Sequence, residues 1–435
     1  MNIKLIALLC LPVLLQAQPT PDRLQWFRDA KLGIFIHWGI YAVDGVSESW
    51  SFHNREVSYP AYMNQLKGFT AANFNPQAWA ELIAESGARY TVLTTKHHDG
   101  VALYNTKYSQ LDVVNSTPAR RDLLQPFYEA IRKKGLKAGA YYSLLDWSHP
   151  DYPGFLKDSS RYKIAADPAR WNRFLTFCHG QIAEIMDQYQ PDLVWFDGDW
   201  EHSADEWKAL AIRQLILDRK PATIINSRLQ GYGDYATPEQ HIPITRPSPE
   251  VWEMCMTPNN NWGYRPSDTQ YKTPYELITI FVDVVSNGGN LLFDIGPKAD
   301  GTIPAEQVHQ LKELGKWNRK HGQAIFGSLP GMPAGHYHGA STLSADSTRL
   351  YLFLPAGAGG QAMVKGLYNQ VKQVRVLGTS QTLPHKVVGK ISWSSVPGIL
   401  YINPVPASAQ DEYITVLELT LDGPLKLYRG KGGFN

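Results

Sequence analysis

The stretch RWNRFLTFCHGQIAEIMDQYQPDLVWFDGDW, residues 170–200, decides the fold. In its first part Trp171, Phe174, Leu175, Cys178, Ile182, Ile185 and Met186 recur at helical spacing, a single apolar stripe along one face. It then passes into a short, almost continuous apolar run, LVWF, that ends on Asp197 and Gly198. A strand that is apolar on both faces is covered on both faces, which is the condition of a strand in a parallel sheet under helices.

The same alternation runs outward in both directions. Short apolar runs occupy 31–38 (KLGIFIHW), 90–95, 137–143, 222–227 and 290–296, and helical patterns fill 76–88, 120–135, 205–218, 273–289 and 304–322. More than four strand–helix units over about 300 residues point to a (β/α)8-like TIM barrel rather than an open doubly wound sheet. His37, His97, His98, Tyr142, Asp197 and Arg228 all fall at or just past the C-terminal ends of apolar runs. A barrel gathers those ends on one face, and that face carries the active site.

Past about Ser328 the helical patterns stop. Short β runs at 348–354, 373–378, 389–395, 399–404 and 413–421 are separated by Gly- and Pro-rich turns, the pattern of a C-terminal antiparallel β-sandwich domain. The expected division is therefore a signal peptide at 1–17, a catalytic barrel over 18–327 and a β-sandwich domain over 328–435. Lys4 precedes an apolar run that ends near Leu15, with a small residue at Ala17, so the chain is expected to be exported, to the periplasm or the medium. That run is too short to span a bilayer, and no later segment is long enough. Cys178 and Cys255, the cysteines left after cleavage, do not make a disulfide framework and are expected as buried thiols.

With 42 basic and 40 acidic side chains, the formal charge of +2 gives no electrostatic case for nucleic acid or an anionic membrane as partner. There is no Gly-rich phosphate loop after the first strand and no spaced cysteine set for zinc. The 13 Trp and 23 Tyr suit the apolar faces of sugars, although a large barrel also uses such rings as filler.

Asp197 ends its strand beside Trp195 and Trp200, and Gly198 lets the chain turn away. A carboxylate at the rim of a dry pocket is what a glycosidase places against the anomeric carbon, and a surface turn is the competing reading. His97 and His98 suit hydrogen bonding to sugar hydroxyls. A metal site would need His37 and Asp99 as well, and adjacent side chains on an extended strand point to opposite faces. His37, Glu48 and Trp50 follow the first strand. Retaining hydrolysis needs a second carboxyl group roughly 5–5.5 Å from the first. Glu239 and Glu253 both follow the strand of Asp197, and burial between Trp252 and Met254 would raise the Glu253 pKa. Residue physics alone leaves that choice open.

The motifs GIFIHWG at 33–39, TTKHHDG at 94–100, GAYYSLLDW at 139–147, PDLVWFDGDW at 191–200, VWEM with NNNWGY at 251–264 and VSNGGNLLFDIGPKADGTIP at 285–304 together resemble the α-L-fucosidases of glycoside hydrolase family 29. The resemblance implies a retaining, exo-acting hydrolase of terminal α-L-fucose with a fucosylated oligosaccharide or glycoconjugate as partner and no cofactor or metal. It places the nucleophile at Asp197 and implies that His37, His97, His98, Tyr142, Trp195 and Arg228 bind the sugar, with Glu48 and Trp50 nearby. Tyr141 is the alternative to Tyr142, since neighbouring strand residues face opposite ways. For the acid/base it favours Glu239, 42 positions after Asp197, over Glu253, with Asp234 third.

Overall fold

The helix Pro168–Tyr189 begins where its sequence allows it to begin. The Asp167 carboxylate caps it by accepting the Arg170 N–H at 3.0 Å, Pro168 fills the first position with its fixed φ, and Gln190 ends it in the left-handed region before Pro191. The chain then enters the strand that carries Asp197. The computed structural model describes residues 22–430 apart from 243, 245, 246, 248–250 and 358–359, so the expected signal peptide at 1–17 lies outside the described residues.

Seven strands recur on this plan among the described residues: β1 (Leu32–Ile36), β2 (Tyr90–Lys96), β3 (Lys137–Ser143), β4 (Leu193–Asp197), β5 (Ile224–Ile225), β6 (Glu253–Met256) and β7 (Asn290–Ile295). All pairings are parallel, in the order β5-β4-β3-β2-β1-β7-β6. The gap between β5 and β6 is filled by an extended segment at 235–240. It meets Asn226 through a parallel bridge at Tyr235, and meets β6 and its approach through parallel bridges Ala236–Trp252 and Glu239–Cys255. Backbone bonds from Ala236 N to Val251 O, Glu253 N to Ala236 O, Cys255 N to Pro238 O and Gln240 N to Cys255 O close the ring. The architecture is a TIM-like barrel with an irregular eighth stave.

The pleat separates two apolar layers. Inside the ring lie Phe35, Tyr90, Val92, Tyr141, Leu193, Trp195, Ile224, Tyr235, Cys255 and Leu292. Alternate residues such as Ile34, Ile36, Leu93, Tyr142, Val194 and Phe196 point outward into the larger core beneath the helices. The helix expected over 205–218 is split into Ala204–Trp207 and Ala209–Arg219, because Lys208 adopts φ 55 where Trp207 turns in to donate to the Asp199 carbonyl.

The remaining strands are β8 (Leu329–Pro330), β9 (Ser341–Leu343), β10 (Arg349–Pro355), β11 (Ala362–Lys365), β12 (Val371–Val376), β13 (His385–Val388), β14 (Ile399–Ile402) and β15 (Ile414–Leu421). They form antiparallel sheets ordered β12-β15-β10-β9-β8 and β11-β14-β13. The strand expected at 389–395 is absent: Ile391 and Trp393 stand out in solvent, and His385–Val388 pairs with β14 instead. Cys178 and Cys255 are free and buried.

Candidate active site

Asp197 is the last residue of β4, and the chain turns away from it at once through Gly198, whose φ of +80 favours glycine. A Cβ there would also sit 2.3 Å from Leu145. The Asp197 side chain therefore projects from the C-terminal end of the barrel into a small cavity of about 90 Å3. Its lining comprises Phe35, His37, Glu48, Trp50, His97, Tyr141, Trp195, Asp197, Trp200, Arg228, Glu239 and Trp262. That volume lies well below the roughly 300–1,000 Å3 of pockets for drug-sized ligands and suits one small sugar unit. A larger cavity of about 720 Å3 in the β domain, lined in part by His336, Lys365 and Tyr428, contains no carboxylate and is not the candidate site.

Two donors fix the Asp197 carboxylate. Tyr141 donates its hydroxyl to Oδ2 at 2.9 Å, and Arg228 donates Nη1–H to Oδ1 at 2.8 Å. The other terminal nitrogen of Arg228 donates to Glu239 Oε2 at 2.6 Å. One guanidinium thus grips both carboxylates, and its carbon lies 4.5 Å from the centre of the Trp195 ring. The two carboxylates differ in depth. The Asp197 side chain is 13% exposed and that of Glu239 39%, so Glu239 stands at the mouth above a buried Asp197.

Three imidazoles are anchored alike. His37 Nδ1 meets Asp294 Oδ1 at 2.8 Å, His97 Nδ1 meets Ser49 Oγ at 2.6 Å, and His98 Nδ1 meets Ser143 Oγ at 2.6 Å. Each ring keeps Nε2 for another partner, and that of His98 lies 3.7 Å from Asp197 Oδ2. Burial drives all three pKa values well below the ordinary histidine range, so the rings are neutral near pH 7 and offer hydrogen bonds without charge. His97 and His98 do not diverge as extended-strand neighbours would. β2 ends at Lys96, the chain turns, and the two ring centroids lie 4.2 Å apart. The Asp99 carboxylate faces elsewhere, accepting from Tyr62 Oη at 2.6 Å and Val101 N at 2.9 Å.

Glu48 is buried in the wall, its Oε1 accepting the Gly263 N–H at 2.5 Å, and burial pushes its pKa up to about 7. Trp50, Trp195 and Arg228 line the pocket, and Asp234 does not: its carboxylate binds Arg23, Arg213 and the Ile225 N–H.

Two expectations are corrected. Tyr142 is outside the pocket, because β3 turns every second side chain inward and Tyr141 has that phase; the Tyr142 hydroxyl donates to Gln181 Oε1 at 3.0 Å on the helix side. Glu253 points into the barrel but one layer too deep. It is fully buried, accepts from the Tyr90 hydroxyl and from Trp195 Nε1 at 2.9 Å, and does not line the cavity. Sequence reasoning did not place Phe35 and Trp262 in the site. Phe35 lies two residues before His37 on β1 and therefore on its face, a signal that was available. Trp262 comes from a loop and packs on His37 with centroids 4.9 Å apart; no local pattern announces it.

The sequence profile described as Alpha-L-fucosidase matches residues 15–323. Plasma alpha-L-fucosidase of Homo sapiens is 33% identical over 331 residues, covering 69% of this chain and 68% of that one. Among solved structures, alpha-L-fucosidase isoenzyme 1 from Paenibacillus thiaminolyticus is similar with TM-score 0.82 and 32% identity, covering 92% of this chain and 99% of that one. A GH29 alpha-L-fucosidase of Bacteroides thetaiotaomicron, solved as a trapped covalent intermediate, gives TM-score 0.80 and 28% identity over 94% of this chain and 98% of that one.

Proposed function

This chain belongs to the α-L-fucosidase family, and from that premise we propose that the pocket hydrolyses terminal α-L-fucose with Asp197 as nucleophile and Glu239 as acid/base. The enzyme is a glycoside hydrolase that works with retention, by double displacement. The observation that carries the residue assignment is the Arg228 guanidinium bound to both carboxylates, one deep and one at the mouth.

In the first step an Asp197 oxygen forms a bond to the anomeric carbon as the bond to the leaving oxygen breaks. Glu239 gives its proton to that oxygen, and the aglycone departs through the mouth. In the second step a water enters where the aglycone stood, Glu239 takes its proton, and the water oxygen displaces Asp197. Two inversions return the original configuration. Arg228 and the Tyr141 hydroxyl hold Asp197 in line before substrate arrives, so little reorganisation is left for the transition state. The neutral His37 and His97 rings, with Glu48, supply donors and acceptors for hydroxyls, while His98, buried behind the lining, stands 3.7 Å from Asp197 Oδ2; Trp50, Trp195, Trp262 and Phe35 give the apolar wall that a 6-deoxy sugar needs.

Hydrolysis of an aryl α-L-fucoside by the parent and by Asp197→Asn tests the assignment. The parent turns over, and the folded variant loses at least about a thousandfold in kcat, the scale seen when a group acting on the reacting atom is removed. Full activity in the variant refutes Asp197 as nucleophile; a folded parent inert on every α-L-fucoside refutes the reaction.

A further inference from the structure

Trp200 is the half-exposed indole of the pocket, 50% accessible to solvent, where Trp195 is 2%. One of its faces lies over Trp50, with ring planes 14° apart and centroids 6.5 Å apart, and it meets His98 edge-on at 6.3 Å. Its backbone is nonetheless fixed. On one side Asp199 takes three hydrogen bonds: its carbonyl accepts Trp207 Nε1 at 2.9 Å and Gln230 Nε2 at 2.7 Å, and its Oδ2 accepts the Gln230 N–H at 2.8 Å. On the other, the Glu201 carboxylate accepts Tyr152 Oη at 2.6 Å and Trp147 Nε1 at 3.3 Å.

An indole that is both held in place and open to water is an unsatisfied apolar surface, and a rigid aromatic loses little entropy when something covers it. What covers it is set by its neighbours. Trp200 and Glu239 line the same cavity and both open to solvent, so both stand at its mouth. The bond to be broken lies beside Glu239, and the group just outside that bond is the leaving saccharide. We propose that Trp200 is the platform of the aglycone subsite, stacking its outer face on the apolar C–H face of the first leaving pyranose. The proposal rests on the fucosidase reading of the same pocket and adds to it the residue that selects among leaving groups.

The test compares two substrates that share the fucose and differ outside it. α-L-Fucosyl fluoride has a one-atom leaving group that cannot reach Trp200. The second is whichever of the α1,2-, α1,3-, α1,4- and α1,6-linked fucosyl disaccharides the parent cleaves fastest. For Trp200→Ala the ratio of kcat/KM for the disaccharide to that for the fluoride falls about five- to tenfold, the scale of one aromatic contact, with the loss mainly in KM. Trp200→Phe keeps most of the ratio. An unchanged ratio in Trp200→Ala, whether both rates fall together or neither falls, overturns the platform, as does a parent that uses the fluoride and none of the disaccharides. A parent inactive on the fluoride overturns the fucosidase reading instead, and the two failures are thereby distinguished.

Discussion

Glu239 and Glu253 sit within one short reach of chain, and the structure gives them opposite surroundings. Glu239 is held by Arg228 at an open mouth, whereas Glu253 is sealed beneath Trp195 and Tyr90. Glu239→Gln removes the transferable proton, so kcat on disaccharides drops by about 10²–10⁴ while a dinitrophenyl fucoside, whose leaving group needs no proton, loses far less. Glu253→Gln still accepts from Trp195 Nε1 through its amide oxygen and faces the Tyr90 oxygen with its NH2, so it keeps both rates within about tenfold. Reversal of the two phenotypes makes Glu253 the acid/base. Glu253 also leaves a signature in stability. Burial raises its carboxyl to about 7 from 4.5, so the native state holds a proton that the unfolded chain releases between those values. The associated stabilisation is full below pH 4.5 and lost as pH rises through about 7. The amide of Glu253→Gln does not titrate, so unfolding free energies of the variant from urea titrations improve relative to the parent by up to about 3 kcal/mol from pH 4.5 to above 7; a pH-independent difference contradicts the buried acid. The residues whose position follows from strand ends, His37, His97, Asp197 and Arg228, were legible because a barrel sends every strand end to one face. The phase of Tyr141 against Tyr142 was not, since both are tyrosines and both are buried. It is settled by register: Tyr141 pairs with Trp195 and Ser143 with Asp197 across β3 and β4, so Tyr141 shares their inward face.

At the level of elements, the segment 235–240 is the least regular stave and the one that carries Glu239. Its position depends on Gly233 by close approach rather than by φ. A Cβ there would lie 2.1 Å from the Asn226 carbonyl oxygen and 2.6 Å from Ser227 Cα, backbone atoms that cannot yield. Asn226 is itself locked, its side chain accepting Phe196 N at 2.8 Å and donating to Phe196 O at 2.9 Å. Gly233→Ala therefore displaces the stave and Glu239 with it, while Asp197 on β4 stays. Displacements of about 1 Å cost up to roughly a hundredfold in rate. The expected result is a ten- to hundredfold lower kcat/KM on poor leaving groups and a steeper dependence on leaving-group acidity across aryl α-L-fucosides. A uniform loss across that series argues that Gly233 acts on folding alone. Strands β1 to β5 and β7 are readable from apolar runs, whereas β6, which opens on Glu253, matches none of them. The closing stave is not readable either, because DYATPEQH has polar residues and a proline and forms isolated bridges instead of a continuous ladder. The run at 389–395 shows the converse, an alternating sequence with no neighbour to pair with.

On the scale of the whole molecule, the barrel and the β domain share a core. Along β10, Leu350, Leu352 and Leu354 face the three-stranded sheet, while Tyr351 and Phe353 belong to the apolar cluster of the barrel helices. β15 divides in the same way, with Ile414 and Val416 toward the barrel and Leu417, Leu419 and Leu421 away from it. The central strands β10 and β15 are buried on both faces over most of their length, and so they lack the simple polar–apolar alternation that would have announced the contact in the sequence. Trp317 on the last barrel helix, Ala305–His321, pins the joint: it is 1% exposed, and its Nε1 donates to the Ile414 carbonyl at 2.9 Å. Gln323 adds bonds to Tyr351 Oη and Glu418, and Thr342 Oγ1 donates to Ala324 O at 2.6 Å. An apolar interface of this kind couples two units thermodynamically, unlike the polar contacts that leave domains free to move. Calorimetry of the parent then gives one cooperative transition, with fucosidase activity lost across the same interval. Trp317→Ala removes a buried indole and leaves the Ile414 carbonyl without its donor, costing about 3–5 kcal/mol. The β domain, no longer held, melts first, and the single transition divides in two, the upper one tracking activity. Two transitions already present in the parent, or a variant that melts as one unit at an unchanged temperature, show that the shared core does not couple the domains.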